Sequence, residues 1–159
     1  MKFPERVYTK EEVKTAKELI AKGYKHNLTV EGSPNFKEQV TRALELIKTA
    51  GAYEFLRTYI KGITEIDGIT QLRETEAVIW ANKFAVENPV DAASLLVQKA
   101  NHMQEYLAGE LYYGGAAEKR SIEKRKEFLE LLQSKSEDKN VREECERLLQ
   151  MWKESALAY

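Results

Sequence analysis

Residues 88–109 read NPVDAASLLVQKANHMQEYLAG and carry the clearest structural signal in the chain. Asn88 followed by a proline is a strong helix start, and Gly109 is a natural stop. Only three of these 22 residues are charged, whereas 32% of the whole chain is charged. The stretch therefore predicts a long helix that is the most buried in the fold.

A polar stripe runs along this predicted helix. Its members recur at helical spacing and so share one side: Asp91, Ser94, Gln98, His102 and Glu105. Polar groups inside a protein need hydrogen-bond partners. A buried helix with one polar stripe is therefore typical of a helix that lines a site.

Residues 95–102, LLVQKANH, resemble the metal-binding helix of zinc metallopeptidases of the zincin class, which carries His-Glu-x-x-His. In that motif two histidines one turn apart bind zinc, and the glutamate polarises the attacking water. Here Gln98 stands at the first histidine position, Lys99 at the glutamate position and His102 at the second histidine position.

The resemblance extends over roughly residues 66–132. In the zincin branch with a glutamate as third ligand, that residue lies on the following helix. Glu118 falls 16 residues after His102, at the start of the next predicted helix. The resemblance thus implies a vestigial site of Gln98, Lys99, His102 and Glu118. Because two of the three functional motif residues are missing, it implies a degenerate, non-catalytic relative with no metal and no cofactor.

The N-terminal third predicts two helices and a short strand. Thr9 and Glu12 form a capping box that starts the first helix, which Gly23 ends. Residues 28–30 are a strand candidate. A serine-proline pair then opens a second helix over residues 33–51.

The middle of the chain fits two interpretations. Residues 52–66 and 70–86 are rich in strand formers, yet parts of both also fit a helix. Asp67 and Gly68, flanked by isoleucines, are typical of a hairpin turn. We favour a small antiparallel sheet here.

Two further helices are predicted after the polar stripe. One spans residues 115–135. The last is capped by Asn140 with Glu143, and its apolar stripe consists of Val141, Cys145, Leu148 and Trp152. The fold prediction is a mostly helical α+β domain, zincin-like, with about five helices and a small antiparallel sheet. The alternative is an all-α helical bundle.

Length and composition narrow the class of protein. The 159 residues predict a single domain over 1–159. The net charge of −1 and the mixed charges of the helix faces do not favour nucleic acid. No apolar run reaches the length of a membrane span, and no signal-peptide pattern follows the N-terminus. We therefore expect a cytoplasmic protein without nucleic-acid or membrane partners.

A cluster of tyrosines is the second candidate site. Tyr106, Tyr112 and Tyr113 lie around glycines at a turn between two predicted helices. Such residues line a pocket or a protein interface, or simply pack at a tight corner. His26, in a predicted turn, is expected to be exposed and inert.

These observations predict a non-catalytic binding or interaction domain on a degenerate metallopeptidase-like scaffold. Its partner would be an unknown protein or a small peptide. Two alternatives stay open. One is a zinc-dependent hydrolase with further ligands elsewhere in the chain, and the other is a purely structural helical module.

Overall fold

The chain forms an α+β domain in the computed structural model, which describes residues 2–111 and 113–157. Within these residues there are six α-helices, four strands and one short 3-10 helix (Lys83–Val86). The helices are α1 (Lys10–Ala21), α2 (Pro34–Thr49), α3 (Tyr53–Tyr59), α4 (Pro89–Leu107), α5 (Gly115–Lys135) and α6 (Lys139–Leu157). The strands are β1 (Thr29–Glu31), β2 (Gly62–Ile66), β3 (Gln71–Arg73) and β4 (Val78–Asn82).

The four strands form one sheet in the order β1-β2-β4-β3. β2 runs parallel to both β1 and β4, and only β3 is antiparallel to its neighbour β4. The predicted antiparallel sheet is therefore wrong, as is the all-α alternative. The physical reason lies in the connections, because a parallel pair needs a long crossover and α2 with α3 supply it between β1 and β2.

The predicted hairpin turn is also misplaced. Asp67 and Gly68 do turn the chain, but β2 and β3 lie on opposite sides of β4. The turn instead crosses the end of β4, where the Asn82 side-chain amide donates to the backbone oxygens of Asp67 and Gly68. The true hairpin joins β3 to β4 through residues 74–77, ending on Ala77 with a positive φ of 57°.

Both ambiguous segments contain a helix as well as strands. Residues 52–66 hold α3 followed by β2, and residues 70–86 hold β3, β4 and the 3-10 helix. The predicted set of about five helices did not include α3. Its seven residues are too few to show helical periodicity against the neighbouring strand formers.

Most predicted helix boundaries are confirmed. Thr9 forms the capping box with Glu12, and the Asn88 side chain accepts hydrogen bonds from two backbone N–H groups of α4. The cap of α6 is different from the prediction. The Asp138 carboxylate, not Asn140, accepts the first free N–H groups, and its negative charge suits the positive end of a helix.

α4 lies at the centre of the core. Nine of its 19 residues are buried, and it contacts α2, α3, α5 and α6. The sheet presents an apolar row in register to the core, made of Val30, Ile63, Ile79 and Leu72. None of the described helices combines the length and the apolar character that crossing a membrane requires.

Candidate functional site

Every residue of the predicted polar stripe on α4 forms a hydrogen bond with a side chain of α5. We call this interface the polar seam, formed by Asp91, Ser94, Gln98, His102 and Glu105 of α4 with Arg120, Ser121 and Arg125 of α5. The stripe therefore joins the two helices, and its partners come from the neighbouring helix.

A salt bridge between α4 and α5 lies at each end of the polar seam. At one end, Nη2 of Arg125 lies 2.6 Å from Oδ1 of Asp91, and its Nε donates to Oγ of the fully buried Ser94. At the other end, Nη2 of Arg120 lies 3.2 Å from Oε2 of Glu105. The Arg125 guanidinium also lies 4.9 Å from the ring centre of Trp152, which ties α6 to the same interface.

Ser121 occupies the middle of the polar seam and is only 7% exposed. The Gln98 side-chain amide donates a hydrogen bond to Oγ of Ser121. Nε2 of His102 lies 3.0 Å from the same oxygen. The hydroxyl has one proton and a second lone pair besides the one that accepts from Gln98, so the direction of its hydrogen bond with His102 is set by which ring nitrogen carries the imidazole proton.

The structure brings three of the four vestigial-site residues to one pocket. Gln98, His102 and Glu118 line a recess of about 330 Å³, together with Ala117, Ser121, Ile122 and Trp152. Lys99 is not among the lining residues. In the described part of the chain, no three His, Cys, Asp or Glu side chains are grouped so that they could hold a metal ion.

The electrostatics of this pocket favour a neutral imidazole. Burial, with help from the nearby Lys99 charge, lowers the pKa of His102 to about 4. Burial and the Arg125 charge also lower the pKa of Lys99. A histidine this weakly basic is poorly suited to take the proton of Ser121.

The structure describes two of the three tyrosines in the predicted cluster. Tyr106 lines a groove between α1 and the end of α4, and its hydroxyl donates to the backbone oxygen of Val7 at 2.6 Å. Tyr113 lies just before α5, with 67% of its surface exposed. Tyr112 lies outside the described residues.

The prediction for His26 is wrong, since this residue is 3% exposed. Its ring packs edge-on against Phe3 and Tyr24, with ring centres 4.6 and 5.0 Å away; these three residues form the aromatic cluster. Nε2 of His26 has no hydrogen-bond partner among the described residues. Burial, with help from the charges of Lys61 and Arg57, lowers its pKa to about 4. The nearby aromatic residues could have indicated that His26 is buried. Phe3, however, is distant in sequence and has no regular spacing to His26, so its contact with the ring was not predictable.

The one cysteine is buried, as its place on the apolar stripe predicts. Burial, together with the neighbouring Glu144 charge, raises the pKa of the Cys145 thiol to about 11. The thiol therefore stays protonated near neutral pH and behaves as a small apolar side chain.

No protein-family model, curated protein sequence or solved structure matches the chain. The case for its function therefore rests on the polar seam, the pocket beside it and the chemistry of the residues there.

Proposed function

We propose that the chain is a non-catalytic binding or interaction domain built on a degenerate zincin-like scaffold. The observation that carries the proposal is the position of Ser121. In His-Glu-x-x-His the metal lies between two imidazoles one helical turn apart. In this chain the side chains at those two positions, Gln98 and His102, both hydrogen-bond the Ser121 hydroxyl instead.

Lys99 supports the same proposal through its charge. It stands where the motif places the glutamate that polarises water, and a charged ammonium cannot accept a proton. Its charge lowers the pKa of His102 and would repel a divalent cation. Both effects act against metal-assisted hydrolysis.

Glu118 supports the proposed relationship to zincins. It lies one turn before Ser121 on α5 and lines the same pocket as Gln98 and His102. A third ligand on the following helix would occupy this side of the pocket. The scaffold would therefore retain the arrangement of a metal site whose ligands have changed.

The experiment is to rebuild the ligand set with Gln98→His, Lys99→Glu and Ser121→Ala. These changes add a second imidazole to that of His102, supply a general base and remove the hydroxyl between the two imidazoles. Together with Glu118, they give three protein ligands and leave one open position, as catalytic zinc sites have. We expect zinc to bind at least about a hundredfold more tightly than to the wild type. Competition against a chromogenic chelator measures the affinity, and thermal melts with and without zinc measure the stabilisation.

The matched control adds Glu118→Gln to the three changes, and we expect it to lose most of the gain. A folded triple variant without any gain in zinc affinity would overturn the zincin-like scaffold. Wild-type protein that holds one zinc per chain against mild chelation would overturn the non-catalytic proposal and favour the hydrolase alternative.

A further inference from the structure

A second recess lies apart from the pocket at the polar seam. α1 and the C-terminal end of α4 enclose an open groove of about 650 Å³. Val13 and Leu107 contribute apolar surface to it, and so does Tyr8, which is 63% exposed. α1 is lightly attached to the domain, since Ala16 is the one buried residue among its twelve. The groove is therefore an apolar surface that the packing of α1 leaves open.

Lysines line the α1 side of this groove. Lys10, Lys14 and Lys17 are spaced by four and three residues, which places them on one face of the helix. Within the described residues, none of the three forms a salt bridge. Glu18 is the one acidic residue among the described residues that line the groove. The groove thus combines an apolar floor with a positive rim, although the chain as a whole has a net charge of −1.

We propose that the groove between α1 and α4 docks an acidic, amphipathic peptide segment of a partner protein. Apolar side chains of the segment would lie against Val13 and Leu107, and its carboxylates would pair with the three lysines. This is the helix-in-groove or extended-segment mode of recognition. The inference names the partner class of the interaction domain proposed above and rests on that proposal.

The shape of the groove favours a peptide over a lipid surface. Leu107 is 5% exposed and Val13 is half-buried, so side chains projecting from a peptide reach them, whereas a flat bilayer surface does not. The three lysines also favour an acidic peptide over a basic one, because the positive charges of a basic peptide would be repelled.

The test uses a fluorescein-labelled amphipathic peptide of about 16 residues, with leucines at helical spacing and glutamates between them. A twin with lysine in place of each glutamate is the probe control. Fluorescence anisotropy with the whole chain measures both affinities. We expect the acidic peptide to bind about tenfold or more tightly than its twin, and its affinity to fall as salt is added.

The variant that tests the rim carries Lys10→Gln, Lys14→Gln and Lys17→Gln. We expect it to weaken binding of the acidic peptide by about fivefold or more. The matched control, Lys37→Gln with Lys139→Gln and Lys153→Gln, changes three exposed lysines elsewhere and should leave affinity unchanged. Tyr8→Ser tests the apolar part and should also weaken binding. Circular dichroism establishes that each variant keeps its helices.

Three outcomes would overturn the proposal. The first is absence of acidic-peptide binding, or an equal loss in both lysine triples. The second is self-association of the wild type in sedimentation that the groove triple abolishes, which would make the groove an interface between copies. The third is binding to phosphatidylserine vesicles without binding to the peptide. None of these outcomes affects the measurement of zinc affinity, because that measurement depends on α4 and α5 residues outside the groove. The peptide proposal can therefore be overturned without overturning the proposed zincin-like scaffold, and the reverse also holds.

Discussion

The two histidines of this protein reach the same protonation state in opposite surroundings. Burial lowers the pKa of both His102 and His26 to about 4. His102 takes part in a hydrogen-bonded interface, with Nε2 3.0 Å from the Ser121 hydroxyl. His26 is held by aromatic rings, and its Nε2 has no partner among the described residues.

This difference shows that a lowered pKa does not by itself identify a functional group. At His102 the neutral imidazole shares a hydrogen bond with the Ser121 hydroxyl and so helps to join two helices. At His26 the neutral imidazole is the form that an apolar cluster tolerates at least cost. Substitutions can separate these roles, because one site depends on a hydrogen bond and the other on ring packing.

The largest loss of stability is expected from a substitution in the apolar core that packs beside the polar seam. Leu148 of α6 is buried, and Trp152 one turn later lies beside Arg125 of the seam. Leu148→Ala should lower the free energy of unfolding by about 2–5 kcal/mol, since it leaves a cavity in the core. Urea denaturation measures this. A loss below about 0.5 kcal/mol would mean that α6 is peripheral and that the seam does not depend on it.

A smaller effect is expected from the centre of the seam. Ser121→Ala removes the hydroxyl that bonds Gln98 and His102, and we expect a loss of about 1–2 kcal/mol. Ser134→Ala is the matched control on the same helix, since Oγ of Ser134 only donates to a backbone oxygen on the exposed face. It should change stability by less than about 0.5 kcal/mol. Equal effects of the two substitutions would show that the hydrogen bonds of Ser121 contribute nothing specific.

Local signals explain which parts of the fold could be predicted from the sequence. Thr9, Ser33 and Asn88 each start a helix through a side-chain cap, and a cap is complete within four residues of sequence. The strand directions and the partners of β2 depend on pairings between distant residues, such as Thr29 with Gly62 and Gly62 with Val78. The Asp67-Gly68 dipeptide forms its turn, but nothing local to it specifies that the following strand pairs with β4.

The candidate site likewise has residues that local spacing predicts and residues that depend on contacts between distant segments. Helical spacing was enough to place Gln98 and His102 on one side of α4. That Glu118 lies in the same pocket was an expectation taken from the resemblance, and the structure gives the three residues a common pocket. Ser121 was missed, because a serine on a charged helix carries no signal until the opposite helix is in place. His26 was misjudged because Phe3, which covers it, comes from a distant segment.

Replacing the two histidines one at a time by phenylalanine should change the stability of the protein in different directions. His26→Phe keeps a ring in the aromatic cluster and removes an unpaired nitrogen, so stability should stay constant or rise by up to about 1 kcal/mol. His102→Phe removes one of the two hydrogen-bond partners of Ser121 and should be destabilising. Thermal melts at pH 7.5 measure both. The comparison would fail if His26→Phe were the more destabilising of the two.

The smallest effect concerns the dependence of stability on pH. Near neutral pH both histidines are neutral in the folded chain, and above pH 6.5 they are mostly neutral in the unfolded chain as well. As pH falls from 6.5 towards about 4, the unfolded chain binds protons that buried His26 and His102 do not, so stability falls and the loss levels off below that range. Between pH 6.5 and 5.5, His26 should account for no more than about 1 kcal/mol of the loss, because one proton changes stability by at most about 1.4 kcal/mol per pH unit and the unfolded histidine is only partly protonated in this range. Urea denaturation at each pH should show a shallower decline for His26→Phe than for the wild type, and His102→Gln should remove a separate share. An unchanged slope in His26→Phe would mean that His26 is protonated equally in both states, which would contradict its burial in the aromatic cluster.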